Sequence, residues 1–177
     1  MNTMSIQLKT KTYAQEALII LGMSFLIALA APISIPLPFT PVPIVLQNTL
    51  ILSLSVLLGA KRTVLAVIGF LLQGALGLPV FATYVGGFSH LLGSNAGYLL
   101  GYIIAAGVMG FLSRSASKLQ LFWVLSIGDG IIYLFGAIWL AAFIGWAQAI
   151  TLGVLPFLCG DTLKRLLAVK CIHFFRK

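Results

Sequence analysis

Carboxylate side chains are almost missing from this chain: Glu16, Asp129 and Asp161 are the only three, against 11 Lys and Arg in 177 residues. Charged residues reach 8%, whereas a soluble domain carries about 25% to keep its surface wetted. Water is therefore the wrong solvent for most of the chain. Cysteine is scarce too. Cys159 and Cys171 have no C-x-x-C spacing, which excludes a disulfide framework or a cysteine metal site, and small apolar packing is their expected role. The two histidines, His90 and His173, fall in no H-E-x-x-H pattern, so no metal site is expected. There is no G-x-S-x-G, no S-x-x-K paired with a second motif, and no glycine-rich phosphate loop ending in Gly-Lys-Ser or Gly-Lys-Thr. ATP hydrolysis must then come from another subunit. The net charge of +8 comes without an aromatic-rich basic stripe, which argues against a nucleic-acid partner.

What the chain has is apolar length, with 60% hydrophobic residues. A hydrocarbon core about 30 Å thick takes roughly 20 helical residues to cross. Six stretches qualify: Ala17 to Ile35, Ile44 to Ala60, Thr63 to Leu78, Asn95 to Leu112, Leu121 to Trp146 and Val154 to Phe175. The polar start with Lys9 and Lys11 resembles the front of a secretory signal, but no trustworthy cleavage pattern follows and more spans do, so the first stretch is kept as a helix.

Charge placement tests the count, because basic residues collect on the cytoplasmic side of spans. Lys9 and Lys11, Lys61 and Arg62, Arg114 and Lys118, and Arg176 and Lys177 occupy alternate connections and the two ends. The other connections, Pro36 to Pro43, Pro79 to Ser94 and Ala147 to Gly153, hold no Lys, Arg, Asp or Glu. The expected fold is thus an all-α membrane protein of six transmembrane helices with both termini cytoplasmic. It forms one integral domain over residues 1–177, in the lipid bilayer, with a short cytoplasmic segment over 1–16.

Two outer connections carry distinctive backbone chemistry. Pro36, Pro38, Pro41 and Pro43 block any continuing helix, so that segment must lie at the surface or pack over a cavity. Pro79 to Ser94, with Gly86, Gly87 and Gly93, is long enough to fold over the outer mouth as a lid. Gly93, Gly97 and Gly101 are four apart and predict a close-packing seam.

Charges inside spans are the informative exceptions, since each costs about 2.5 to 3.5 kcal/mol at a helix centre. Asp161 and Lys164 share one helical face, with Arg165 beside them. Two readings stand: a mutual ion pair that lowers insertion cost, or the polar floor of a ligand site entered from outside. Asp129, between Gly128 and Gly130, reads as a satisfied structural carboxylate within reach of Arg114 or Lys118.

Four segments in order carry a resemblance: Ile35-Pro-Leu-Pro-Phe-Thr-Pro-Val-Pro-Ile-Val-Leu-Gln47, Leu76-Gly-Leu-Pro-Val-Phe-Ala82, Leu92-Gly-Ser-Asn-Ala-Gly-Tyr-Leu-Leu-Gly-Tyr102 and Gly153-Val-Leu-Pro-Phe-Leu-Cys-Gly-Asp-Thr-Leu-Lys164. Over nearly its whole length the chain resembles the BioY family, the biotin-specific substrate-binding subunits (S components) of energy-coupling-factor (ECF) transporters. The resemblance implies an ECF S-component-like fold in the bacterial cytoplasmic membrane. It implies capture of biotin at the outer face, import with a transmembrane coupling subunit and paired ATPase subunits, and no enzymatic activity. Biotin would be transported ligand, with no cofactor required. The family's pocket residues fall on Asp161 and Lys164, the pair that the burial argument also selects. Gln47, Asn95 and Tyr98 follow as hydrogen-bonding candidates from the same motifs, and Trp139 and Tyr133 as apolar walls.

Departures are visible as well. The family's Pro-Thr is Ser94-Asn95 here, its Gly is Ala96, its Thr before Leu-Gln is Val45, and a lid arginine common in the family is replaced around Val85. The small-residue contact face that such subunits offer the coupling subunit has Ser24 and Ala28 as its nearest equivalent. A same-fold subunit for another small vitamin or a biotin precursor is the second reading. A distant third, an intramembrane enzyme using Asp129, Asp161 and His90, would need groups that the topology puts on opposite halves of the membrane.

Overall fold

The computed structural model describes residues 3–113 and 117–175. Its elements are α1 (Thr3–Ala30), a clip of β1 (Ser34–Ile35) with β2 (Ile44–Val45), α2 (Gln47–Leu58), α3 (Ala60–Ala75), 3-10 turns at Ala82–Tyr84 and Phe88–Leu92, α4 (Ala96–Leu112), α5 (Lys118–Ile144), α6 (Trp146–Gly153) and α7 (Leu155–Phe175). The α4–α5 pair is the most extensive contact. Around it, α3 and α2 pack on α4, α1 packs on α3, and α7 sits between α5 and α2.

Two helices, over Thr12–Ala30 and Gln120–Ile144, are long and apolar enough to cross a membrane by length and composition. The surface agrees with that chemistry: Leu18, Leu21, Phe25 and Leu29 of α1 and Leu163, Leu166 and Leu167 of α7 all point outward, an apolar exterior that suits hydrocarbon and not water. Cys159 and Cys171, expected as packing residues, are exposed on α7 as well.

Several elements depart from the bounds of the apolar runs, each for a local reason. α1 stops at Ala30 instead of Ile35 because Pro32 has no N–H to continue the ladder. The segment Ile44–Leu46, read as the start of a span, instead pairs as β2 with β1, Ser34 opposite Val45 and Ile35 opposite Ile44. That leaves α2 with 12 residues, about 18 Å of helix. At the far end of α5, Gly145 has φ +82, a left-handed conformation that glycine adopts without cost. The chain breaks there and restarts as α6, so residues read from sequence as a plain connection form a short helix.

Glycine sets the central contact. A Cβ on Gly97 would come within 2.3 Å of the Phe135 carbonyl oxygen, and one on Gly101 within 3.0 Å of Ile132 Cα, so α4 and α5 touch backbone to backbone. Gly93 lies before α4 and meets only its own loop, so the expected three-glycine seam has two members. At the opposite end of the bundle, Arg62 Nε donates to Glu16 Oε2 at 2.7 Å and ties α3 to α1. Arg114, Arg176 and Lys177, and the side chains of Lys9, Lys11 and Lys118, lie outside the described residues.

Ser24 and Ala28 face inward and are buried against α3, where Gln73 Nε2 donates to Ser24 Oγ at 2.6 Å. They therefore belong to the core and not to an outward contact face.

Candidate ligand-binding site

The late start of α2 leaves a hollow between α2, α4, α5 and α7, roofed by the lid. At the floor, α7 presents Asp161, buried to 2% exposure. Tyr133 of α5 donates its hydroxyl to Asp161 Oδ2, and Lys164, one turn further along α7, pairs with Oδ1. Lys164 also donates to the Val45 carbonyl at 2.7 Å, which joins the floor to β2. Each carboxylate oxygen has two lone pairs, so Asp161 keeps acceptor capacity toward the hollow.

The walls are partly satisfied and partly open. Tyr102 donates to Asn48 Oδ1 at 2.7 Å, and Tyr98 donates to the Gly153 carbonyl at 2.8 Å across a gap that Gly136 and Gly153 keep clear. By contrast, Gln47 Nε2 and Asn95 Oδ1 are buried with no partner among the described residues, although Asn95 Nδ2 reaches the Pro41 carbonyl at 3.4 Å. A donor and an acceptor left open on a cavity wall are costly unless something fills them.

The roof is built from aromatic stacking. Phe81 is buried, meets Phe70 edge-on at 5.5 Å and stacks on His90 at 5.0 Å. Gly74 makes this possible, since a Cβ there would lie 2.0 Å from Phe81 Cζ. The Gly87 N–H donates to the Gly74 carbonyl at 2.7 Å, while Thr83 N–H donates to Ser34 Oγ at 3.1 Å. Thr83 and Tyr84 have φ of 62 and 60, a left-handed pair that non-glycine residues adopt at a cost. Partial burial pushes the His90 imidazole below its ordinary value of 6.5.

Beneath the floor, Arg165 turns away from the cavity. Its Nε lies 3.0 Å from Asp129 Oδ2, close enough for an ion pair without hydrogen-bond geometry, and its other nitrogens reach Ser126 Oγ and Thr162 Oγ1. Asp129 thus finds its cation on α7, where the sequence pointed to Arg114 or Lys118.

Of the residues singled out from sequence, Asp161, Tyr133, Gln47, Asn95 and Tyr98 line this one cavity. Two do not. Lys164 stands behind Asp161, and Trp139 faces Gly97 of α4 with its Nε1 donating to the Gly93 carbonyl at 3.0 Å. Sequence reasoning missed Asn48, Tyr102, Phe81 and His90 as lining residues. The signals were present: Asn48 adjoins Gln47, Tyr102 is one turn after Tyr98, and the other two lie in the segment read as a lid.

A helical bundle whose outside is apolar and whose inside holds one roofed, polar-floored hollow is a membrane-embedded small-ligand binder in build. The BioY family model matches residues 2–177, and the chain belongs to that family. It is 36% identical to a probable biotin transporter BioY of Pyrococcus horikoshii over 88% of this chain and 93% of the relative. It is 40% identical to the biotin transporter BioY of Thermotoga maritima over 81% of this chain and 85% of the relative. Among solved structures it resembles the S-component for biotin from an ECF-type ABC transporter, with TM-score 0.79, 30% identity, and coverage of 99% of this chain and 94% of that one.

Proposed function

We propose that the protein captures biotin at the outer face of the cytoplasmic membrane and serves as the substrate-binding subunit of an ECF transporter. The observation that carries this reading is Asp161, a buried carboxylate held by Tyr133 and Lys164 at the floor of the cavity, with the open Gln47 donor on the wall. Biotin's ureido ring has two N–H donors for a carboxylate and a carbonyl for an amide N–H, and charge-assisted bonds of this kind are the strong ones. Its apolar bicycle meets Phe157, Leu99 and Tyr98, which line the same space. Lys164 acts through Asp161, holding its carboxylate in place, since the ammonium does not line the cavity.

The topology that goes with this function is six crossings by α1, α2 with its flanking segments, α3, α4, α5 and α7, with both termini cytoplasmic and the lid outside. The whole of residues 1–177 then forms one integral domain. Transport requires a transmembrane coupling subunit and a pair of ATPases, because this sequence has no phosphate loop of its own. The subunit is not an enzyme and uses no cofactor.

Titration of the purified, detergent-solubilised protein with biotin tests the proposal, alongside thiamine, riboflavin and dethiobiotin. Tight biotin binding that is lost in Asp161→Asn and weakened in Lys164→Met is the expected outcome. Preference for another member of the panel would transfer the site to that ligand, and unchanged biotin binding in both variants would remove Asp161 from it.

A further inference from the structure

Two hollows adjoin under the lid. Besides the main cavity there is a second, between the Pro36–Pro43 segment and the lid, and Pro43, Ala82, His90 and Asn95 line both. Asp161 imposes a direction on whatever binds. Its carboxylate attracts N–H groups and repels a second carboxylate, so an organic acid with a neutral hydrogen-bonding head must point its anionic end away from the floor. That end comes to the four shared residues. Among all residues lining either hollow, His90 has the one side chain that can become a cation. The other nearby cations are already engaged, Lys164 by Asp161 and the Val45 carbonyl, and Arg165 by Asp129, Ser126 and Thr162.

We propose that protonated His90 is the counter-ion for the carboxylate of a small organic acid whose neutral head rests at Asp161, so that capture of the anion takes up a proton. For biotin this assigns His90 to the valerate carboxylate, and it rests on the reading of Asp161 given above.

The surroundings of His90 favour such a switch. Stacking on Phe81 and the backbone bond from His90 N–H to the Gly87 carbonyl, 3.1 Å, fix the ring at the junction of the hollows. The titratable groups lining the main cavity with it are Tyr98 and Tyr102 of α4, Tyr133 of α5 and Asp161 of α7. The β1–β2 segment lines the hollows with proline, leucine, threonine and valine only. From α3 the lid end offers Gln73 and Gly74, with Lys61 and Arg62 at the opposite end of that helix. In the empty site, burial holds the imidazole neutral at pH 7. The lid conformation is therefore favoured fully above pH 6.5 and loses that contribution as pH falls below it, whereas a bound carboxylate reverses the sign by favouring the imidazolium.

The test compares the Kd of biotin with that of biotin amide, which lacks the negative charge, between pH 5.5 and 8 on the purified protein. The expected result for biotin is a Kd that rises about tenfold or more across this range, the worth of a hydrogen bond to a charged group, while the amide stays flat. His90→Gln is expected to bind biotin with the high-pH affinity at every pH, and His90→Arg with the low-pH affinity at every pH. Calorimetry in buffers of different ionisation enthalpy is expected to show proton uptake with biotin but not with the amide. A wild-type Kd for biotin that is flat with pH, or an equal slope for amide and acid, overturns the assignment of His90 while leaving biotin capture intact. Failure of biotin itself to bind at any pH overturns both readings.

Discussion

The floor and the lid of the cavity are made from opposite materials. The floor is helix and ionisable side chains: Asp129, Asp161, Lys164 and Arg165 come from α5 and α7, two acids and two bases, and pair off below and beside the hollow. The lid, from Pro79 to Ser94, has no Lys, Arg, Asp or Glu. It is held by a buried phenyl ring, a stacked imidazole, a few backbone bonds and two residues in left-handed conformation. Paired charges in a low-dielectric interior hold one geometry because breaking any pair strands a charge. A lid held mainly by one aromatic ring in a glycine notch can open at modest cost, as mobile elements over binding sites must. On the reading proposed above, recognition falls to the rigid part and access to the lightly held one.

The largest effect that would sharpen this contrast is at the floor. Asp161→Asn is expected to cost about 2 to 5 kcal/mol of biotin affinity, roughly 30-fold to several-thousandfold in Kd, read by calorimetric titration. A change below threefold would break the claim that the floor recognises the ligand. Next, Asp129→Ala strands Arg165 and is expected to cost about 3 to 5 kcal/mol of stability, seen as a lower melting temperature in detergent. Its biotin Kd should move much less, because Asp129 does not line the cavity. Gly74→Ala drives a methyl into the Phe81 ring and is expected to undo about 1 to 3 kcal/mol of lid docking. Faster biotin dissociation with a nearly unchanged melting temperature is the signature, and a slowed off-rate would contradict the lid's role. Smallest is Glu16→Gln at the far end of the bundle, where the ion pair with Arg62 is exposed and such pairs contribute little. Both melting temperature and Kd should stay close to wild type.

The same contrast explains what the sequence made legible. Buried charge in an apolar chain is conspicuous by cost alone, so Asp161 and its partner stood out. Lid and wall residues carry no such mark. Phe81 looks like any apolar residue until Gly74 is seen beneath it, and His90 reads as an isolated loop histidine until two hollows are found to meet there. Helix ends were hidden for a related reason: hydropathy measures solvent preference and is blind to the missing N–H of Pro32 or the positive φ of Gly145 that breaks the chain. Lys164 was assigned to the ligand because spacing puts it beside Asp161, but spacing says nothing about the Val45 carbonyl that draws its ammonium aside.

The attachments of the lid are unequal on its two sides. Along α3 it is fastened by the Gly87–Gly74 backbone bond, by Leu78 N–H to the Gln73 carbonyl, and by Phe81 seated over Gly74, whereas away from α3 it is met by an exposed bond from Thr83 to Ser34 and, at its far end, by Trp139 on the Gly93 carbonyl. A flap so mounted is expected to part first at Ser34 and to turn about α3. Its lightly fastened edge faces the proline-rich segment, where Pro36, Leu37, Thr40 and Pro41 line the outer hollow.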